Sequence, residues 1–206
     1  SGPGSLELSP AAGAEPGFFV MIFGGLAYPA RWYSEGLRVM TTTFPIKPPL
    51  YAVTKSTNYL PNVLMQMEAR EAGLDNGVFI DHAGFVGESS NMNVAFVTAD
   101  GVLRHPKFDA VLSGCTSLRL LELAKTLVPK GVIAGVEVCD IPVETARAAR
   151  EMVLIGSSVK VAPVAAMLPV TRPATSTFCT SMSASTTPDA STKRLSLSEI
   201  FPFTVP

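Results

Sequence analysis

Apolar residues along this chain fall into short dense runs and longer spaced ones. Leu37 to Thr43, Val132 to Val138 and Met152 to Ile155 are short runs dominated by β-branched and aliphatic residues, the signature of a buried strand. Phe18-Phe19-Val20-Met21-Ile22-Phe23, closed by Gly24-Gly25, predicts one more. Val63 to Ala72 carries its apolar residues at helical spacing and stops at Gly73. Thr116 to Val128, with Leu118, Leu121, Leu123 and Leu127 among its apolar members, predicts a second helix ended by Pro129-Lys130-Gly131. Pro142 to Glu151 predicts a third, with Pro142 in the first turn. Two polar breaks, Asp81-His82-Ala83-Gly84 and Ala99-Asp100-Gly101, each separate a pair of apolar runs and predict hairpins. The segment with Pro29, Arg31, Trp32 and Gly36 reads as a loop, and Pro48 to Thr54 as extended chain.

Strands and helices mixed in this order place the fold in the α/β (α+β) class, sheet-rich with packed helices. The pattern divides the chain into a flexible lead-in (1–16), one folded domain (17–168) and a tail (169–206) dominated by serine, threonine, proline and alanine. A tail without periodic apolar positions is expected to be disordered. With 206 residues, 47% hydrophobic and 16% charged, the chain can bury one core. A formal net charge of -1, with no basic stripe, argues against a nucleic-acid partner. The apolar runs are far shorter than a membrane span requires, so a soluble protein is expected. Cys115, Cys139 and Cys179 lack the spacing of a disulfide framework or metal site, and His82 and His105 read as turn residues.

Four positions carry candidate chemistry. Lys55 follows the extended segment and precedes a helix, so rigid elements on both sides would place its amine, and such a lysine can add to an aldehyde. Taken alone it is a solvated charge. Glu88 lies in the small-residue stretch Gly87-Glu88-Ser89-Ser90-Asn91-Met92-Asn93, either as a charge facing water or as an anionic partner for a protonated ring nitrogen. Gly114 followed by Cys115 and Thr116 opens a helix whose free N–H groups suit a phosphate, although Thr116 could equally be an ordinary N-cap. Ser157 and Ser158 after Gly156 offer hydroxyls to the same phosphate or form a plain turn. Amine, carboxylate and two phosphate sites together are the parts that pyridoxal 5'-phosphate requires.

Lys55 with Asn58-Tyr59-Leu60, Glu68-Ala69 with Gly73, Asp81-x-x-Gly84-x-Val86-x-Glu88, Asn93, and Gly114-x-Thr116 occur in the order and approximate spacing of a known family. Over residues 37–164 the chain resembles the fold type IV, or class IV, pyridoxal-phosphate aminotransferases. Phe44-Pro45-Ile46-Lys47-Pro48-Pro49, Asn58-Tyr59-Leu60-Pro61-Asn62-Val63 and Asn91-Met92-Asn93-Val94-Ala95-Phe96 are most similar to plant plastid members that act as D-amino-acid transaminases or aminodeoxychorismate lyases. The resemblance implies the large domain of that fold and transamination between amino acids and 2-oxo acids. It implies a homodimer in the full-length family and a plastid location, with lyase chemistry as the alternative. It implies that Lys55 forms the Schiff base and moves a proton, that Tyr59 bonds the ring's phenolic oxygen, and that Glu88 pairs with the ring nitrogen. Gly114, Cys115 and Thr116, with Ser157 or Ser158, would bind the phosphate, and Asn93 belongs to the same cofactor-binding set. The family also carries a small domain ahead of this stretch and a glycine-rich turn and helix after it. Their counterparts are not seen in this sequence, which admits a variant that binds cofactor or dimerises without catalysis.

Overall fold

A computed structural model describes residues 17–24 and 28–169 of the chain. It holds one eight-stranded mixed sheet, ordered β3-β2-β1-β8-β7-β4-β5-β6. The strands are β1 (Leu37–Thr41), β2 (Asn76–Ile80), β3 (Val86–Ser89), β4 (Asn93–Val97), β5 (Val102–His105), β6 (Gly135–Val138), β7 (Glu151–Gly156) and β8 (Lys160–Leu168). The helices are α1 (Arg31–Ser34), α2 (Pro49–Ala52), α3 (Leu60–Glu71), α4 (Cys115–Ala124) and α5 (Val143–Arg147). The α/β class and both hairpins agree with the sequence pattern; the lead-in expected at 1–16 and, apart from its first residue, the tail expected at 169–206 lie outside the described residues.

β8 joins the two halves of the sheet, running parallel to β1 and antiparallel to β7. It carries Pro163, which has no N–H to give to a ladder. The β1–β8 register shifts beside it, between Leu37 and Arg38, opposite Val164 to Ala166. Gly36, at φ +82, lies so close that an added Cβ would meet the Ala165 backbone nitrogen at 2.8 Å. The irregularity therefore accommodates the proline in a central strand.

Two apolar clusters form the core. One gathers Leu37, Val39, Val78, Val94, Phe96, Leu154 and Ala162; the other sets Leu120, Leu121, Ala124 and Leu127 against Ala95, Leu103, Val153 and Ile155. A fully buried phenylalanine or leucine such as Phe96 or Leu37 contributes on the order of 1.5–3 kcal/mol. α3 packs on β2 at close range, since a Cβ at Gly77 would meet the Met65 side chain at 2.3 Å. Its far end is tied to β1: Glu68 accepts from the Thr42 hydroxyl, from the Thr43 N–H at 3.1 Å and from the Thr43 hydroxyl at 2.5 Å.

Several elements differ from the sequence expectation. Phe18 to Phe23 forms no strand and is exposed, from 64% to 93%. Both sides of β1 are already taken by β2 and β8, which leaves it no neighbouring edge there. The loop around Trp32 contains a helical turn, α1. It is held by Asp75, which accepts from Arg31, from the Trp32 indole at 3.2 Å and from the Arg38 N–H at 2.9 Å. Pro48 to Thr54 is not extended: Pro48 keeps φ -50, ψ 147, and Pro49 at N1 opens the turn α2. The helix expected at Pro142 to Glu151 ends at Arg147, and Glu151 begins β7. The strand expected from Val132 is restricted to Gly135–Val138. β8 had no counterpart in the pattern.

His105 is likewise no turn residue. It ends β5 with no exposed surface, its Nδ1 is 2.6 Å from the Pro106 carbonyl oxygen, its ring lies against Phe108, and Nε2 has no partner. The neutral ring donates from Nδ1, and burial lowers its pKa from 6.5 to about 4 against the opposing Pro106 carbonyl. The unfolded chain therefore takes the proton first as pH falls. The stability this confers is complete above pH 6.5 and is lost progressively toward pH 4, on the order of 3 kcal/mol in all. Denaturant unfolding across that window should show the decline, and His105→Leu should flatten it relative to wild type.

Candidate functional site

A cavity of about 390 Å³ opens where α3, α4, β3 and the end of β7 converge. Its wall includes Lys47, Lys55, Tyr59, Asn62, Glu88, Asn93, Gly114, Cys115, Thr116 and Ser157. Lys55 follows the turn α2, not a strand, and sits in the irregular link to α3. Its Nζ donates to the Tyr59 hydroxyl at 3.2 Å, joining the amine and the phenol at one point of the cavity.

Glu88 belongs to β3, not to a loop facing water, and is 7% exposed. Burial pushes its carboxyl above the ordinary carboxylate range, opposed by the Leu112 N–H, which donates to Oε2 at 3.2 Å, and by the charges of Lys47 and Lys55. A buried carboxylate in this position favours a cationic or donor group that enters the cavity.

Opposite Glu88, α4 starts without a side-chain cap. Thr116 is therefore not the N-cap that the sequence left open; Gly114 holds that place, with extended backbone. The first N–H groups of a helix have no intrahelical acceptor and its dipole adds positive potential, so this end favours an anion. Asn93 lines the cavity and builds its loop: its Nδ2 donates to the Leu112 carbonyl at 2.8 Å, and its Oδ1 accepts from the Ser117 hydroxyl at 3.1 Å. The fit leaves no room for a Cβ at Gly114, which would meet Asn93 Oδ1 at 2.2 Å. Cys115 Sγ and Ser157 Oγ are 3.6 Å apart across the rim. That contact and one with Thr116 hold the exposed Cys115 thiol below its usual pKa. Ser158 does not line the cavity; its hydroxyl is 3.1 Å from that of Tyr28.

The sequence reading passed over Lys47, Asn62 and Ser117. Lys47, a lone cation bracketed by prolines, borders the cavity and stands 5.6 Å from the Tyr59 ring centre. Asn62 is 5% exposed and its Oδ1 has no partner, while its Nδ2 bonds the Ser90 carbonyl. The donor set fits pyridoxal phosphate: a primary amine beside a phenol, a buried carboxylate for a ring nitrogen, and an uncapped helix end for the phosphate.

Residues 1–167 match the family model for amino-transferase class IV. The chain belongs to the class IV aminotransferases. A chloroplastic D-amino-acid transaminase from Arabidopsis thaliana is 45% identical to this class IV aminotransferase chain over 165 residues, 80% of the chain and 43% of the relative. The solved T.th. branched-chain amino acid aminotransferase, complexed with N-(5'-phosphopyridoxyl)-L-glutamate, superposes with TM-score 0.58 at 28% identity, covering 64% of this chain and 43% of that one. The Escherichia coli branched-chain enzyme shares the fold at TM-score 0.65 and 24% identity, over 80% of this chain and 54% of its own. The chain thus spans about half the length of the curated relatives it matches, 43% to 54% for the first three.

Asn93→Ala should destabilise the start of α4 by about 1–3 kcal/mol, because the buried Ser117 hydroxyl and the part-buried Leu112 carbonyl lose their hydrogen bonds. Thermal unfolding checks the loss, and hydrogen exchange should locate it in residues 112–117.

Proposed function

We propose that residues 17–168 form the pyridoxal-phosphate-binding large domain of a transaminase that exchanges amino groups between amino acids and 2-oxo acids. The observation that carries this reading is the single cavity holding the Lys55 amine, the buried Glu88 carboxylate and the uncapped end of α4. Membership of class IV supports it, and the Arabidopsis relative's name favours D-amino acids and a plastid location. A homodimer is proposed for the whole protein.

When bound, pyridoxal phosphate supplies an electron sink for the bonds at the substrate's α-carbon. Lys55 is the amine that holds its aldehyde carbon and, once exchanged for substrate, the base that moves the α-proton. Tyr59 donates its hydroxyl to the ring's phenolic oxygen and keeps the Lys55 Nζ oriented. Glu88 keeps a proton on the ring nitrogen. The backbone N–H groups of Cys115 and Thr116, aided by the Ser157 hydroxyl, hold the phosphate, and Asn93 and Gly114 fix the shape of that loop. Ser158 would take part only after leaving Tyr28.

Borohydride reduction of the chain with pyridoxal phosphate, followed by peptide mass spectrometry, should place the label on Lys55. Lys55→Ala should abolish the label with the fold intact, and label retained on that variant would refute the assignment. Glu88→Ala should weaken cofactor binding without preventing covalent attachment, read from the visible band as cofactor is titrated.

A further inference from the structure

We propose that Lys47 is a positioning residue of this site, the cation that compensates the buried Glu88 carboxylate and braces the ring of Tyr59. The inference rests on the reading of Glu88 as partner of the cofactor's ring nitrogen.

The segment between β1 and α2 is stiff and pressed against the sheet. Pro45 and Pro48 fix two of its φ angles, Pro49 opens α2 behind it, and Glu68 clamps its start through Thr42 and Thr43. Ile46 Cδ1 occupies the space above Gly87, where an added Cβ would meet it at 2.4 Å. The residue before Lys47 thus rests on the residue before Glu88, which brings the lysine to the cavity wall.

The choice of partner follows from the carboxylates available. Lys47 borders the cofactor cavity and a second one of about 500 Å³ on the other side of its segment. The acidic residues lining the second are Asp81 and Asp140. Asp81 already accepts the N–H groups of Ala83 and Phe85, and Asp140 is paired with Lys107. In the first cavity Glu88 is the acidic residue, and it is engaged by one backbone N–H and by no side chain. Lys47 forms no ion pair among the described residues. The titratable groups that share the cavity with Glu88 are Lys47, Lys55, Tyr59 and Cys115. Of the two cations, Lys55 alternates during turnover between holding the aldehyde carbon and acting as the base, so Lys47 is the one whose charge stays available to Glu88 throughout. Its Nζ stands 5.6 Å from the Tyr59 ring centre, within the range of a cation–π contact, so the same ammonium steadies the phenol.

The test uses the full chain without cofactor, following the Glu88 carboxyl infrared band against pH and identifying it by its loss in Glu88→Gln. In Lys47→Met the Glu88 midpoint should move to higher pH, and Lys47→Arg should return it toward the wild-type value. Pyridoxal phosphate affinity, titrated by absorbance at neutral pH, should fall roughly tenfold in Lys47→Met and recover in Lys47→Arg. An unchanged Glu88 midpoint in a folded Lys47→Met protein overturns the proposal. A wild-type chain that binds no pyridoxal phosphate overturns the reading of the cavity instead, while the titration without cofactor still decides the role of Lys47.

Discussion

The pairing of β8 on both sides holds this molecule together. β3, β2 and β1 lie on one side of it, and β7, β4, β5 and β6 on the other. The cavity draws on both halves: Glu88 comes from β3, whereas the α4 end and Ser157 belong to the part built around β4 and β7. The carboxylate and the anion cradle are tied directly, by the Leu112 N–H on Glu88 and by the short turn from β3 to β4, while the sheet behind them is joined through β8, a strand that supplies no residue to the cavity wall. The proline and the register shift in that strand show how close the tolerance is.

Around the cavity, chemistry is placed by tightly fitted backbone more than by long side chains. Gly114 admits no Cβ because Asn93 fills the space, and Asn93 in turn holds Leu112 and Ser117. Leu112 then turns its N–H to Glu88. One asparagine thus couples the shape of the phosphate loop to the environment of the carboxylate on the facing strand. Such a chain of buried hydrogen bonds resists small displacements, because a lost partner leaves a desolvated polar atom behind.

The sequence made the fold class, both hairpins and α3 and α4 legible, since each rests on local periodicity or a glycine turn. It also pointed to Lys55, Glu88 and the Gly114 loop, each plain by itself, which the structure brings to one cavity. It did not expose β8, because Pro163 breaks the pattern of a central strand and the accommodating irregularity, the unpaired Ala165, shows only when β8 is set against β1, more than a hundred residues earlier. Phe18 to Phe23 misled for the converse reason: composition suits a strand, but pairing depends on an available edge. Lys47 looked like one more surface charge; its significance arises from Ile46 meeting Gly87, a contact between distant parts of the chain. Ser157 and Ser158, equivalent in sequence, separate in space within the turn between β7 and β8: the first lines the cavity and Tyr28 takes the second.

The contact of Met65 with Gly77 gives α3 a mechanical meaning. Tyr59 stands immediately ahead of that helix, so the phenol is carried on the end of a rod whose height above the sheet is set where a missing side chain lets a methionine sink in. Gly77 lines none of the cavities described, yet a Cβ there would meet Met65 Cγ at 2.3 Å and Sδ at 2.6 Å, so the methionine would have to leave its seat under the helix. The seat of the Tyr59 phenol thus rests on a helix docked from beneath, through one packing layer.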